Sequence, residues 1–184
     1  MGEWTKNRYE QMLLRWANLA AAQRWIRAGS SGLFRVVEIG VAEGYTANLL
    51  IEDLIFRRIP YEYIGIDNLG NPRTMDLSLK FAGMNLIQGE SSEVGKLIED
   101  PIHFLFIDGD HSYQAARADM KIYSPKIPRG FILGMHDIAT TGAKRALHEL
   151  MEDPSWKLMI QSCEPTQGNN SWTPGIAFLE KIDE

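Results

Sequence analysis

The chain has 184 residues, a formal net charge of -5 and a single cysteine, Cys163. That length fits one α/β domain over residues 1-184, with no linker, repeat or low-complexity tract to divide it. The acidic balance argues against nucleic acid as a partner, the lone cysteine excludes an internal disulfide framework, and the charged stretch from Glu3 to Arg8 with no membrane-length apolar run predicts a cytoplasmic protein that does not engage a membrane.

The first predicted element is a helix from about Thr5 to Ala28, within residues 1-28, on which Tyr9, Met12, Leu13, Trp16, Leu19, Ala20 and Gln23 follow a helical period. Its aromatic residues read as core packing or as the contact of a homodimer. Gly29-Ser30-Ser31-Gly32 stops it, and Val36-Val37-Glu38-Ile39 reads as a buried strand running into the turn Gly40-Val41-Ala42-Glu43-Gly44, which opens a helix at Tyr45 that ends near Arg58. Tyr61 to Asp67 is a second strand, Asn85 to Ser91 a shorter third, and His103 to His111 a fourth that is nearly all apolar until its charged end. Ser112 can cap a helix through Tyr123, with Pro125 and Pro128 beyond it. Gly130 to Asp137 is a fifth strand, and Ala143, Ala146, Leu147, Leu150 and Met151 mark a helix that Asp153-Pro154 ends. The last two strands, about Lys157 to Ser162 and Gly175 to Lys181, are joined by a Cys163 to Pro174 loop. It is rich in turn formers, with Trp172 placed to close on a substrate as a lid.

The turn after the first strand narrows the ligand. Gly40 and Gly44 allow a close backbone approach, and the following helix offers free N–H groups. The spacing E-x-G-x-x-x-G is neither the dinucleotide G-x-G-x-x-G nor a phosphate loop with its lysine, so a diphosphate is not the natural guest. An acidic strand end suits a ligand that carries positive charge and hydroxyls, and S-adenosyl-L-methionine has both. Five strand ends, Glu38, Asp67, Glu90, Asp108 and Asp137, carry carboxylates on the edge where open parallel sheets bind ligands.

With the strand ends Ile107-Asp108-Gly109-Asp110-His111-Ser112-Tyr113 and His136-Asp137 in that order, the chain resembles a class I S-adenosylmethionine-dependent methyltransferase. It is most similar to the small family with I-D-G-D-H-S-Y and H-D strand-end motifs, methyltransferase family 24. The match covers roughly Phe34 to Asp137. The resemblance implies a Rossmann-like fold, doubly wound with a mostly parallel seven-stranded sheet, helices on both faces and an antiparallel terminal strand. It implies that Glu38, Gly40 and Gly44 line the methionine end of the cofactor, that Asp67 holds the ribose, and that Glu90 and Ser91 lie beside the adenine, with Tyr45, Asn68 and Asp108 as further contacts. Related O-methyltransferases hold magnesium with an aspartate after the fourth strand and an acidic or Asp-Asn pair after the fifth, positions that become Asp108, His136 and Asp137 here.

His136 departs from that pattern, because imidazole suits manganese, zinc or iron better than magnesium. A divalent cation, Mg, Mn or Zn, would lower the pKa of an acceptor hydroxyl, and Asp110 or His111 would serve as general base with or without it. The reading is methyl transfer to a small-molecule acceptor, foremost a hydroxyl oxygen. Two alternatives stay open: a cofactor-binding protein without turnover, and a metal-dependent hydrolase or oxygenase built on His111, His136 and Asp137.

Overall fold

The computed structural model describes residues 8–99, 101–139, 141–162 and 175–183. Among these residues, seven strands form one sheet: β1 (Phe34–Ile39), β2 (Tyr61–Asp67), β3 (Met84–Gln88), β4 (Phe104–Ile107), β5 (Ile132–His136), β6 (Trp156–Ser162) and β7 (Ile176–Lys181). Their spatial order is β3-β2-β1-β4-β5-β7-β6, parallel throughout except that β7 runs antiparallel to both neighbours. The central strands are apolar on both faces because helices cover both. Every residue of β4, Phe-Leu-Phe-Ile, and of β5, Ile-Leu-Gly-Met-His, is buried.

Among the described residues, six α-helices precede or connect the strands: α1 (Arg8–Arg27), α2 (Tyr45–Phe56), α3 (Pro72–Lys80), the single turn α4 (Ser91–Val94), α5 (Tyr113–Tyr123) and α6 (Thr141–Met151). One group, α1 with α2, packs together and a second group, α5 with α4 and α6, does likewise. The strand order reverses between β1 and β4, so right-handed crossovers send the two groups to opposite faces and leave a crevice at the carboxyl ends of those two strands.

The N-terminal helix forms as its sequence predicts, but on a different face. Its buried stripe is Leu13, Leu14, Ala17, Ala21, Ala22 and Trp25, joined by the polar Glu10 and Asn18, while Tyr9, Met12 and Trp16 are exposed. Apolar residues occur all around this helix, and the small alanines win the sheet-facing side because they let it approach closely. Arg15 then clamps α1 to α2 through Asp53, with Nε 2.8 Å from Oδ2. Arg24 reaches the Gly130 carbonyl at 2.8 Å and Glu180 at 2.9 Å.

Ser112 caps α5 by accepting from the Ala115 amide, as its position suggests. The α3 helix is an addition to the elements read from sequence: Asn71 accepts from the Arg73 amide at 3.0 Å and Pro72 opens the first turn. Only Thr74 of α3 is buried, and its apolar residues Met75, Leu77 and Leu79 alternate along the sequence as in a strand, which hides the helix. No helix among the described residues is long and apolar enough to cross a membrane.

Candidate active site

Four strand ends and one helix build a cleft of about 350 Å³ at the crevice. The turn after β1 forms its floor. Gly40 has φ +85°, and a Cβ there would run into the Asp108 carbonyl, so only glycine lets β1 and β4 close on each other at this point. Ala42, at φ 46°, continues the tight turn.

Asp67 ties two turns together. Its Oδ2 accepts from the Ala42 amide and its Oδ1 from the Leu69 amide, both at 2.8 Å. Each oxygen keeps a lone pair, and the residue lines the cleft, so it can still accept from two neighbouring hydroxyls. Asn68, Glu90, Ser91, Asp108 and Asp110 line the same cleft with Gly40. The Asp110 Oδ1 accepts from the Ser112 amide at 2.8 Å, which fixes the carboxylate at the mouth of α5.

Other sequence candidates take different places. Glu38 is buried beneath the turn, where the Tyr63 hydroxyl donates to Oε2. Burial pushes its carboxyl up to about 8, against the lowering effect of the Tyr63 bond. Its Oε1 has no hydrogen-bond partner among the described residues. Glu38 thus supports the turn from below and does not line the cleft. The acceptor capacity of Asp67, with the carboxylates of Glu90 and Asp108 around the same cleft, fits the hydroxyls and positive charge of S-adenosylmethionine. Gly44 and Tyr45 start α2 outside the cleft lining. The Tyr45 hydroxyl accepts from Arg73 at 3.1 Å, and Arg73 also pairs with Glu43 at 2.8 Å. The 163–174 segment, with Trp172 of the expected lid, lies outside the described residues.

Beyond the cleft's inner end, His136 is the centre of a charged group. Its Nδ1 lies 2.9 Å from Asp108 Oδ1 and 3.2 Å from Asp137 Oδ2, and its Nε2 lies 3.5 Å from Glu10 Oε2. His111, half exposed, places Nε2 3.0 Å from the same Asp137 Oδ2. Asp137 adopts φ 55°, a left-handed conformation that aspartate tolerates better than most residues. Burial opposes charge on His136, but the bonds to Asp108, Asp137 and Glu10 prevail and hold the imidazole up to about 11. Burial also disfavours the Asp137 charge, yet the two histidines pull its pKa below the usual carboxylate range.

Asp108, His136 and Asp137 each offer one ligand atom, and these atoms lie within 4.8 Å of one another. One imidazole nitrogen with two carboxylates fits a divalent cation of the manganese or zinc type, which on binding would displace the imidazole proton. His111 stands outside this donor set, bonded to one of its members.

Two residues join the site without having been singled out in the sequence. Asp119 of α5 lines the cleft beside Ser91, whose hydroxyl donates to it, and burial pushes its carboxyl up to about 6. Ala115 and Asp119 share one helix face, a spacing of four that would have exposed the pair once Ser112 was accepted as a cap. Glu10 arrives from 126 residues away, and no local pattern points to it.

A family model described as a methyltransferase domain, methyltransferase family 24, matches residues 37–138, more than half of the chain. No curated protein sequence matches it. Among solved structures, it is similar to a Streptococcus mutans protein assigned as a methyltransferase and bound to S-adenosylhomocysteine, with 10% identity, TM-score 0.72 and coverage of 96% of this chain and 99% of that one. An rRNA methylase from Streptococcus thermophilus gives 13% identity, TM-score 0.68 and coverage of 90% and 94%. A Staphylococcus aureus protein described as a caffeoyl-CoA O-methyltransferase gives 14% identity, TM-score 0.65 and coverage of 95% and 84%. At these identities the likeness is one of fold.

Proposed function

The chain belongs to the class I S-adenosylmethionine-dependent methyltransferases, and we propose that it methylates a hydroxyl oxygen of a small molecule with the help of a divalent cation. One observation carries this reading: Asp108 belongs both to the cofactor cleft and to the His136–Asp137 donor set. A methyl donor seated in the cleft and an oxygen held at the donor set would therefore meet across a single side chain.

Bound S-adenosylmethionine supplies an electrophilic methyl on its sulfonium. Asp67 would accept from the ribose hydroxyls, Glu38 would support the glycine turn from below, and Glu90, Ser91 and Asp119 surround the other end of the cleft. A cation on Asp108, His136 and Asp137 would lower the pKa of the acceptor hydroxyl. His111 is placed to take the released proton: it is half exposed, and Asp137 orients its ring and raises its pKa.

The sign of the cleft supports a small acceptor over RNA. Asp67, Glu90, Asp108, Asp110 and Asp119 place five carboxylates around it, and a phosphodiester backbone would be repelled there. The caffeoyl-CoA and rRNA assignments of the two structural neighbours mark the two acceptor classes between which the test must decide.

The test is methyl transfer from isotopically labelled S-adenosylmethionine to a panel of phenolic, catecholic and sugar hydroxyl acceptors and to ribosomal RNA, each with and without manganese. Label in a hydroxyl acceptor only when the cation is present is the expected result. Label in RNA alone would overturn the acceptor class, and binding of the cofactor without transfer to any of these would favour a non-catalytic protein.

A further inference from the structure

Glu10 sits in the α1 face that packs against β5, with its side chain 3% exposed. Its two oxygens are used separately. Oε1 accepts from the Gly175 amide at 3.1 Å, just before β7, and Oε2 faces the His136 Nε2 at 3.5 Å. On the other side of the same ring, Nδ1 faces Asp108 and Asp137. The imidazole is therefore held between a carboxylate pair at the cleft and a third carboxylate buried in the body of the protein.

A histidine that ligates a cation through Nδ1 must carry its proton on Nε2, and in a buried position that proton needs an acceptor. Glu10 stands where that acceptor is required. Its bond to Gly175 keeps it from swinging round the ring into the ligand set. We propose that Glu10 is the positioning residue of the cation site: it fixes the Nε2–H tautomer of His136, so that Nδ1 is presented to the metal and the site takes manganese or zinc in preference to magnesium. The inference rests on the cation-assisted reading above and extends it to the N-terminal helix, whose placement becomes a condition for metal binding.

The test uses the full chain, stripped with chelator and titrated with Mn²⁺ and Zn²⁺, in wild-type form and as Glu10→Gln and Glu10→Asp. Gln offers one oxygen where two donors must be met, and Asp keeps the charge but is one methylene short. Affinity for S-adenosylhomocysteine and the thermal midpoint of the metal-free protein are measured alongside. The expected result is one tight Mn²⁺ or Zn²⁺ per wild-type chain, weaker Mg²⁺ binding, and a loss of about tenfold to a hundredfold in metal affinity in both variants with S-adenosylhomocysteine affinity unchanged. In the zinc-loaded wild type, nitrogen NMR should show His136 protonated on Nε2 and ligated through Nδ1.

Wild-type metal affinity in a folded Glu10 variant would overturn the role of Glu10 while leaving the metal in place. A wild-type protein that binds S-adenosylhomocysteine but neither cation would remove the metal from the reading and the role of Glu10 with it. Should Glu10→Gln fail to fold, Glu10→Asp and the zinc-loaded wild-type spectrum decide the matter, a ligated Nε2 being the contrary outcome.

Discussion

Gly40 and Asp108 lie in backbone contact where β1 and β4 end. The Asp108 amide donates to the Ile39 carbonyl at 2.8 Å, and Gly40, at φ +85°, leaves no side chain between the two strand ends. The same contact sets the floor of the cleft and brings Asp108 within reach of His136.

Gly40→Ala should therefore injure both stability and binding. The added methyl meets the Asp108 carbonyl, and an L side chain resists that φ. A cost of roughly 1 to 3 kcal/mol is expected, lowering Tm by roughly 3 to 10 °C in a domain of this size. Affinity for S-adenosylhomocysteine should fall more than about tenfold, since a displacement of Asp108 propagates into the cleft. Differential scanning calorimetry with binding calorimetry reads both effects. Unchanged values in both would mean that the strand ends tolerate separation.

Removal of the cation should separate chemistry from cofactor binding. With the donor set on Asp108, His136 and Asp137 emptied by chelator, turnover should disappear and return with manganese, while affinity for S-adenosylhomocysteine stays nearly constant because the cleft's other acceptors remain in place. Full activity in excess chelator, with no metal found by elemental analysis, would transfer proton removal to His111 or Asp110 alone.

The opposite end of the sheet carries a pH dependence of its own. His103 is buried, stacked on Phe34 with ring centroids 5.5 Å apart, and its Nδ1 accepts from the Arg35 amide at 2.8 Å. Burial, and next the Arg35 charge, push its pKa down to about 4 from 6.5. The unfolded chain thus binds a proton below pH 6.5 that the folded chain refuses until about pH 4, so this contribution is present above pH 6.5 and is lost as pH falls from 6.5 to 4. Its size is on the order of 3 kcal/mol. His103→Asn, whose amide oxygen can replace the Nδ1 acceptor, should show a flatter fall of Tm over that interval. An identical fall in both proteins would assign the acid sensitivity to other groups.

Much of the architecture was legible because strands in a parallel sheet are short apolar runs with charged ends. Phe104-Leu105-Phe106-Ile107 followed by Asp108 could hardly be anything else, and the same holds for β5 up to Asp137. Ser112 announced α5 because a capping hydroxyl before a helical period is a local signal. The hidden features are those that depend on distant packing. Apolar residues around the whole of α1 leave its sheet-facing side undetermined without the packing against β5, and in α3 the every-second-residue spacing of Met75, Leu77 and Leu79 mimics a strand. Glu38 lies near a strand end, as its sequence suggests, but its burial against Tyr63 follows only from β2 lying beside β1. Glu10 and its contact with His136 span the chain and leave no trace in the local sequence.

The central claim is that the cleft over the ends of β1, β2, β3 and β4 is a site for S-adenosylmethionine, and calorimetric titration with S-adenosylhomocysteine, NAD and ATP tests it most directly. Asp67 offers one free lone pair on each oxygen, and the turn from Gly40 to Gly44 lacks the glycine spacing of a pyrophosphate site. The prediction is one-to-one binding of S-adenosylhomocysteine and none of NAD or ATP, with Asp67→Ala weakening that binding by roughly 1 to 3 kcal/mol through lost charge-assisted hydrogen bonds. Asp67→Ala also removes the acceptor of two turn amides, so the folded state of the variant is checked by circular dichroism in the same samples. Absence of S-adenosylhomocysteine binding to the wild type, or wild-type affinity in a folded Asp67→Ala protein, would contradict the account.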